Sequence, residues 1–257
     1  MDINLMVLNV GNTRTAVAVF VAGELQHVER VPNDDKSRFP DVIRDAWSKI
    51  SEMDSPAVAG ASVNPAAMEA IEHVVQQVAA AKVEWVGRDI DLPIRVLTDP
   101  PTDTGVDRVV NVAAAYEQLG KACVVVDAGT AVTISACNDK GDFLGGVIAP
   151  GVSMQLRSLH EQTAKLPEVT FDVPKGVFGR TTAEAIRHGV YSGIRGLVKE
   201  VVENFATELG SWPEAIGTGG DAGKLFDGWE IVHAISPDLT LYGIALAYTN
   251  HHIKHGT

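Results

Sequence analysis

The sequence is short of several things that would decide its class at once. Only two cysteines, Cys123 and Cys137, occur in 257 residues, which excludes a disulfide scaffold and leaves too few thiolates for a cysteine-based zinc module. They read as reduced core residues of a cytosolic protein. Basic residues are in deficit: 21 Lys and Arg against 33 Asp and Glu give a formal charge of -12, so the chain as a whole repels nucleic acid and acidic membrane surfaces. Every apolar run is broken well short of the roughly 20 residues a membrane helix needs. The N-terminus carries Asp2 and no basic segment, so no secretory signal is expected. No stretch has low complexity. What is present is an ordinary globular balance, 46% apolar and 21% charged, in a length that suits one large or two medium domains.

Within that balance one pattern occurs twice. Val7-Leu8-Asn9-Val10-Gly11-Asn12-Thr13-Arg14-Thr15 is matched by Val125-Val126-Asp127-Ala128-Gly129-Thr130-Ala131-Val132-Thr133. In each, an apolar run meets a small polar acceptor, a glycine two residues later, and then hydroxyls or amides. Gly23 follows Asn9 by the interval at which Gly141 follows Asp127. The pattern predicts a duplicated strand-turn-strand. Backbone N–H groups of a glycine turn make an anion nest, and a carboxylate at the strand end can bring Mg²⁺ to phosphates. Two such hairpins, from two similar domains, suit a nucleotide held in the cleft between them.

The remaining pattern is of strands interleaved with helices. Strands are expected at 5–10 and 16–21, with a third after Ala22-Gly23-Glu24, then at 57–63 and 83–86. Helix-like spacing covers 37–51 and 66–81. Residues 87–104 are irregular and rich in Pro, Asp and Thr, the composition of a functional loop. A helix from about Asp107 to Leu119 ends at Gly120. A strand from Ala122 opens the second half, with helices near 151–163, 182–208 and 239–252 and a short strand at Ala215-Ile216. The fold class expected is α/β, two similar domains, each a mixed sheet flanked by helices. The repeat offset puts the boundary near residue 118, giving domains 1–118 and 119–257.

Four further signals carry chemistry. Gly105-Val106-Asp107-Arg108 opens a helix after the irregular loop; a helix N-terminal acid beside a solvated arginine is the plain reading, and the phosphate hairpins make a base (Asp107) and an anion clamp (Arg108) its competitor. Gly145-Gly146-Val147-Ile148-Ala149-Pro150-Gly151 packs small residues into one turn, which implies close backbone approach. Gly179-Arg180-Thr181-Thr182 precedes a helix on which Ala185 and Gly189 permit tight packing, and Thr182 by spacing alone reads as an N-cap. The tail Asn250-His251-His252-Ile253-Lys254-His255 reads as an inert terminal segment rather than a metal site.

Taken in order, these residues resemble the type III pantothenate kinases, of the superfamily that includes sugar kinases, actin and the heat-shock ATPases. Leu8 to Thr13, Ser62-Val63-Asn64-Pro65, Gly105 to Arg108, Asp127 to Thr130, Gly145 to Gly151, Leu166-Pro167, Gly179 to Ala185, Thr218-Gly219-Gly220 and Pro237 to Leu241 match the family's motifs along nearly the whole chain. The resemblance implies an actin-like (ribonuclease H-like) fold and ATP-dependent phosphorylation of pantothenate, the first step towards coenzyme A, by a cytoplasmic homodimer using Mg²⁺ and a monovalent cation such as K⁺. It implies that Asn9, Val10, Gly11, Asn12, Thr13, Arg14, Thr15 and Ala16 line the ATP phosphates and that Thr130 touches ATP. It implies Asp107 as proton acceptor, Thr98, Gly105, Val106, Arg108 and Thr182 at pantothenate, and Asp127 on K⁺. Two positions depart from the family pattern. Asn9 stands where the family has Asp, an amide without the charge that attracts Mg²⁺, and Thr98 stands where a tyrosine is usual. The alternative reading is a weakened or inactive relative, a nucleotide- or metabolite-binding regulator disabled at Asn9; a kinase for another small hydroxy acid is the reading if Thr98 reshapes the pocket.

Overall fold

A computed structural model describes residues 3–256; Asp2, on which the leader argument rests, lies outside them. The chain forms two compact units. The first holds β1 (Leu5–Val10), β2 (Arg14–Val21), β3 (Glu24–Pro32), α1 (Phe39–Ser48), β4 (Ala57–Ser62), α2 (Pro65–Ala79) and β5 (Val83–Trp85), then the start of α3 (Val106–Leu119). Its sheet runs β3-β2-β1-β4-β5, antiparallel through the hairpins and parallel at β1-β4-β5. β1 is apolar on both faces because helices cover both: Met6, Leu8 and Val10 join α1 and α2 in one core layer, and Leu5 and Val7 join the second layer.

The second unit repeats the plan. β6 (Cys123–Ala128), β7 (Ala131–Cys137), β8 (Phe143–Pro150), β9 (Glu214–Thr218) and β10 (Ala234–Ile235) run in the order β10-β9-β6-β7-β8 with the same directions. α4 (Val152–Glu161), α5 (Thr182–Leu209) and α6 (Ala222–Phe226) belong to this unit. Cys123 and Cys137 are cross-strand partners, both buried and free, with Sγ atoms 3.4 Å apart.

Two expectations need correction. The division is not 1–118 and 119–257: Leu239–Thr257 joins the first unit, the break in the central helix falls at Ala114/Ala115, and Val96–Thr98 belongs to the second unit. The reason is packing. α7 (Leu239–His255) puts Leu241, Ile244, Ala245 and Ala247 into the layer with Leu5 and Val7, and at Gly243 the helix lies so close to α3 that a Cβ would sit 2.1 Å from the Val110 carbonyl oxygen. The loop 87–104 is irregular as expected, and Leu97 N–H donating to the Phe143 carbonyl at 2.9 Å ties it, with Val96, to the edge of β8. Finally, residues 145–150 are not a turn but the body of β8. Among the described residues no helix is long and apolar enough to cross a membrane.

Candidate functional site

In the first unit the hairpin turn Gly11-Asn12-Thr13 closes β1 on β2, with Gly11 N–H donating to the Arg14 carbonyl at 3.0 Å. One residue outside the motif, Asn33, ties the turn together. Its Nδ2 donates to the carbonyls of Gly11 (2.8 Å) and Asn12 (3.2 Å), and its backbone N–H to that of Thr13 (2.9 Å). Its Oδ1 accepts from Thr15 Oγ1 at 2.8 Å. Three turn carbonyls are thus engaged by donors from one residue, which fixes the turn, and the Gly11 N–H is itself used on the Arg14 carbonyl. Thr15 is fully buried in this bond, and Val10 and Ala16 are core residues, so of the run 9–16 these three offer a ligand only backbone. Asn12, Thr13 and Arg14 are exposed. Nothing in the sequence distinguished Asn33 except its place at the end of a strand before two aspartates.

The Gly105-Val106-Asp107-Arg108 motif lies beside this hairpin. β4 continues past Ser62, where Val63 N–H donates to the Val10 carbonyl at 3.2 Å, and a Cβ on Gly105 would lie 3.8 Å from Val63 Cγ1. Asn64 accepts from Ala67 N–H at 3.1 Å and caps α2, with Pro65 in the first turn. Asp107 and Arg108 open α3 and are part-buried. Asp107 Oδ1 accepts the Arg108 backbone N–H at 2.8 Å, and a Cβ on Gly105 would come within 2.7 Å of that oxygen, so glycine is what leaves the carboxylate its room. Burial raises the Asp107 carboxyl above its ordinary value, against the opposing pull of that N–H and the Arg108 charge. Burial also lowers Arg108, opposed by Asp107, yet a guanidinium stays charged. The pair combines a proton acceptor of increased basicity with a fixed cation.

The second unit assembles its own constellation around Asp127. β6 ends in Asp127-Ala128, the turn Gly129-Thr130 follows, and Gly129 N–H donates to the Ala131 carbonyl at 3.0 Å. Gly151 N–H donates to Thr130 O at 3.1 Å, and Asp221 N–H to Ala128 O at 2.9 Å. Backbone approach here is extreme: a Cβ on Gly151 would lie 2.3 Å from the Gly129 carbonyl oxygen, and one on Gly219 would lie 2.4 Å from Asp127 Oδ1, at a φ of +92°. Gly151 and Gly219 are therefore required by contact. The donors gathered are a carboxylate and backbone carbonyls, hard oxygens that suit Mg²⁺ or K⁺ rather than a soft metal.

Thr182 is not the N-cap of α5. Thr181 is: its side chain accepts Glu184 N–H while Glu184 accepts back from Thr181 N–H at 3.2 Å, a complete capping box. Thr182 is released from that duty and faces a groove of about 710 Å³ together with Pro150, Met154, Gln155, Ile186 and Gly189. Gly179 does pack tightly, its Cβ position lying 2.3 Å from Ala185 N, but Gly189 meets nothing within 4 Å and leaves the groove open. Thr98 belongs to this unit, its Cγ2 3.6 Å from where a Gly145 Cβ would be. Thus Asn9 to Ala16 and Gly105 to Arg108 are gathered in the first unit, and Thr98, Asp127, Thr130 and Thr182 lie in the second.

The fold and this motif set have known counterparts. The family model for type III pantothenate kinase matches residues 5–204. A type III pantothenate kinase from Dehalococcoides mccartyi is 32% identical over 255 residues, covering 96% of this chain and 98% of that protein. Among solved structures, a Baf family protein from Campylobacter jejuni is similar with a TM-score of 0.60 at 18% identity, covering 95% of this chain and 98% of that one. MreB5 of Spiroplasma citri bound to AMPPNP is similar with a TM-score of 0.52 at 14% identity, each chain fully covered. The fold is that of the actin-like ATPases, and with both the family model and a full-length relative in agreement, the chain belongs to the type III pantothenate kinase family.

Proposed function

We propose that this protein transfers the γ-phosphoryl group of ATP to the primary hydroxyl of pantothenate, forming 4′-phosphopantothenate and ADP, the first step of coenzyme A synthesis. The observation that carries the reading is the environment of Asp107: a part-buried carboxylate, raised by burial, beside the part-buried Arg108 and in the same unit as the Gly11-Asn12-Thr13 hairpin turn. In phosphoryl transfer the protein's work is positioning and charge neutralisation. The pantothenate hydroxyl oxygen attacks the γ-phosphorus, its proton passes to Asp107, and the bond to the β-phosphate oxygen breaks. Arg108 stabilises negative charge near the acceptor, and Gly105, Val106, Thr98 and Thr182 are the further positions assigned to pantothenate. Asn9 to Ala16 bind phosphates, largely through backbone N–H groups, and Thr130 contacts ATP. Asp127, amid carbonyl oxygens, holds a monovalent cation such as K⁺. Toward Mg²⁺ carried by the nucleotide, Asn9 would offer one neutral amide oxygen. The protein acts as a cytoplasmic homodimer.

The reading in which Asn9 leaves a non-catalytic nucleotide- or metabolite-binding regulator rests on that position alone. One assay separates the two: the purified full chain with ATP, Mg²⁺, K⁺ and pantothenate, beside Asn9→Asp. Formation of phosphopantothenate by the natural chain supports the kinase. If only Asn9→Asp is active, the chain is a disabled relative.

A further inference from the structure

The C-terminal helix carries a feature unrelated to phosphoryl transfer. His251 and His255 stand one turn apart on α7, with ring centroids 4.5 Å apart. Opposite them is Asp91, in the turn after β5. That turn is firmly held: Ile90 is buried in the first unit's core, its N–H donates to the Trp85 carbonyl at 3.1 Å, and Gly87 N–H donates to the Ile90 carbonyl at 2.8 Å. Asp91 Oδ2 lies 3.7 Å from His251 Nδ1 and 3.4 Å from His255 Nε2. Ligand atoms of all three residues fall within 4.8 Å of one another, and among the described residues no other three His, Cys, Asp or Glu side chains do so.

We propose that Asp91, His251 and His255 form a surface site for a borderline divalent transition-metal ion of the Zn²⁺ type. Two imidazoles and a carboxylate are a three-ligand set of the kind that zinc accepts, with water at the fourth position. Tetrahedral ligands about 2.0–2.1 Å from zinc are separated from one another by roughly 3.3 Å, close to both measured carboxylate–imidazole separations. The Asp91 backbone N–H donates to His251 Nδ1 at 3.2 Å, so that nitrogen carries no proton; its one lone pair is taken up by this bond, which a metal ion at Nδ1 would displace. Asp91 is kept ionised by Lys254 first and His255 second.

Lys254 is the built-in competitor: its Nζ sits 2.8 Å from Asp91 Oδ2, where a metal ion would replace the ammonium as counter-charge. A bound ion would cross-link the last turns of α7 to the β5 turn, and would stabilise the docking of a chain terminus that closes the first unit's core. Its neighbour His252 is directed elsewhere, Nε2 lying 3.3 Å from Glu84 Oε2, and so provides an internal control.

The test is calorimetric titration of chelator-stripped full-length protein with Zn²⁺, alongside thermal melts. The expected result is one equivalent bound with an upward shift in Tm. His251→Gln and His255→Gln should each weaken binding at least about tenfold and remove the Tm shift, while His252→Gln changes neither. Lys254→Met should tighten binding, a result that a merely structural role for these residues does not produce. Absence of saturable Zn²⁺ binding, or binding undiminished in both glutamine variants, or an equal loss in His252→Gln, overturns the proposal. These positions lie outside the kinase residues, so phosphotransfer by the metal-free variants should equal that of the natural chain.

Discussion

The two units use one hairpin design and secure it by different means. In the first, a side chain is the clasp: Asn33 holds three turn carbonyls and the buried Thr15 hydroxyl. In the second the clasp is bare backbone, with Gly151 and Gly219 pressed against Gly129 and Asp127 so closely that no Cβ fits. The turns also differ in length. Asn9 faces Ala16, whereas Asp127 faces Thr133, so β7 runs one residue ahead of β2 relative to the strand before it. The bulge at Val19/Phe20 recurs accordingly at Ala136/Cys137, and a longer tip before Phe143 restores the step. A glycine cage around a carboxylate leaves that carboxylate in one place. The difference teaches that the second copy is the more tightly constrained, although the first adjoins Asp107.

If that division of labour is right, the largest effect should come from Asp107 in the first unit. Asp107→Asn is expected to lower kcat by about 10²–10⁴-fold, the usual worth of a positioned base, with the KM for ATP nearly unchanged. Activity of the natural chain should fall as pH drops through a carboxyl value above the ordinary aspartate range, because burial raises it and protonation removes the base. The same shift costs stability. The folded state holds this proton more tightly than the unfolded chain, so stability declines as pH rises from the ordinary to the raised value. Asp107→Asn should therefore show a higher Tm at neutral pH, a trade common at functional sites.

Next in size is the carboxylate of the second hairpin. Asp127→Asn should lower kcat roughly 10²-fold and remove the response to K⁺. The double variant Asn9→Asp/Asp127→Asn breaks the comparison outright if it restores turnover and K⁺ dependence, because the two strand ends would then be interchangeable. Gly219→Ala tests the cage: its Cβ meets Asp127 Oδ1, and overpacking of about 1–3 kcal/mol should appear as a lower denaturant midpoint. The smallest effect is expected at the side-chain clasp. Asn33→Ala leaves Thr15 Oγ1 buried without its acceptor, a loss of about 1–2 kcal/mol. Adding Thr15→Val to Asn33→Ala should cost little more, since the stranded hydroxyl goes with it.

Much of this was legible in the sequence because it is local. Alternating and continuous apolar runs marked the strands, and Gly151 and Gly219 marked places where close contact excludes a Cβ. Spacing also located the α5 start but credited the cap to Thr182 rather than Thr181. The two hydroxyls are chemically alike, and only the reciprocal bonds with Glu184 tell them apart. The crowded small residues at 145–150 read as a turn because glycines usually make one, yet β7 supplies a partner for them and they extend as β8.

The sequence by itself determined the duplicated plan, the mixed sheets, the family and the residues of its motifs. Those follow from side-chain periodicity and from steric rules that act within a few residues. Tertiary structure alone decided that α7 completes the first unit, since a helix of small and apolar residues can pack on any apolar sheet face until Gly243 is seen against Val110. It decided too that Asn33 clasps the first turn from the far end of β3, and that Asp91 meets His251 and His255 across the length of the chain. Such pairings join residues far apart in sequence, and nothing local encodes them. They exist only once the sheet order and helix docking have been set by burial of the core.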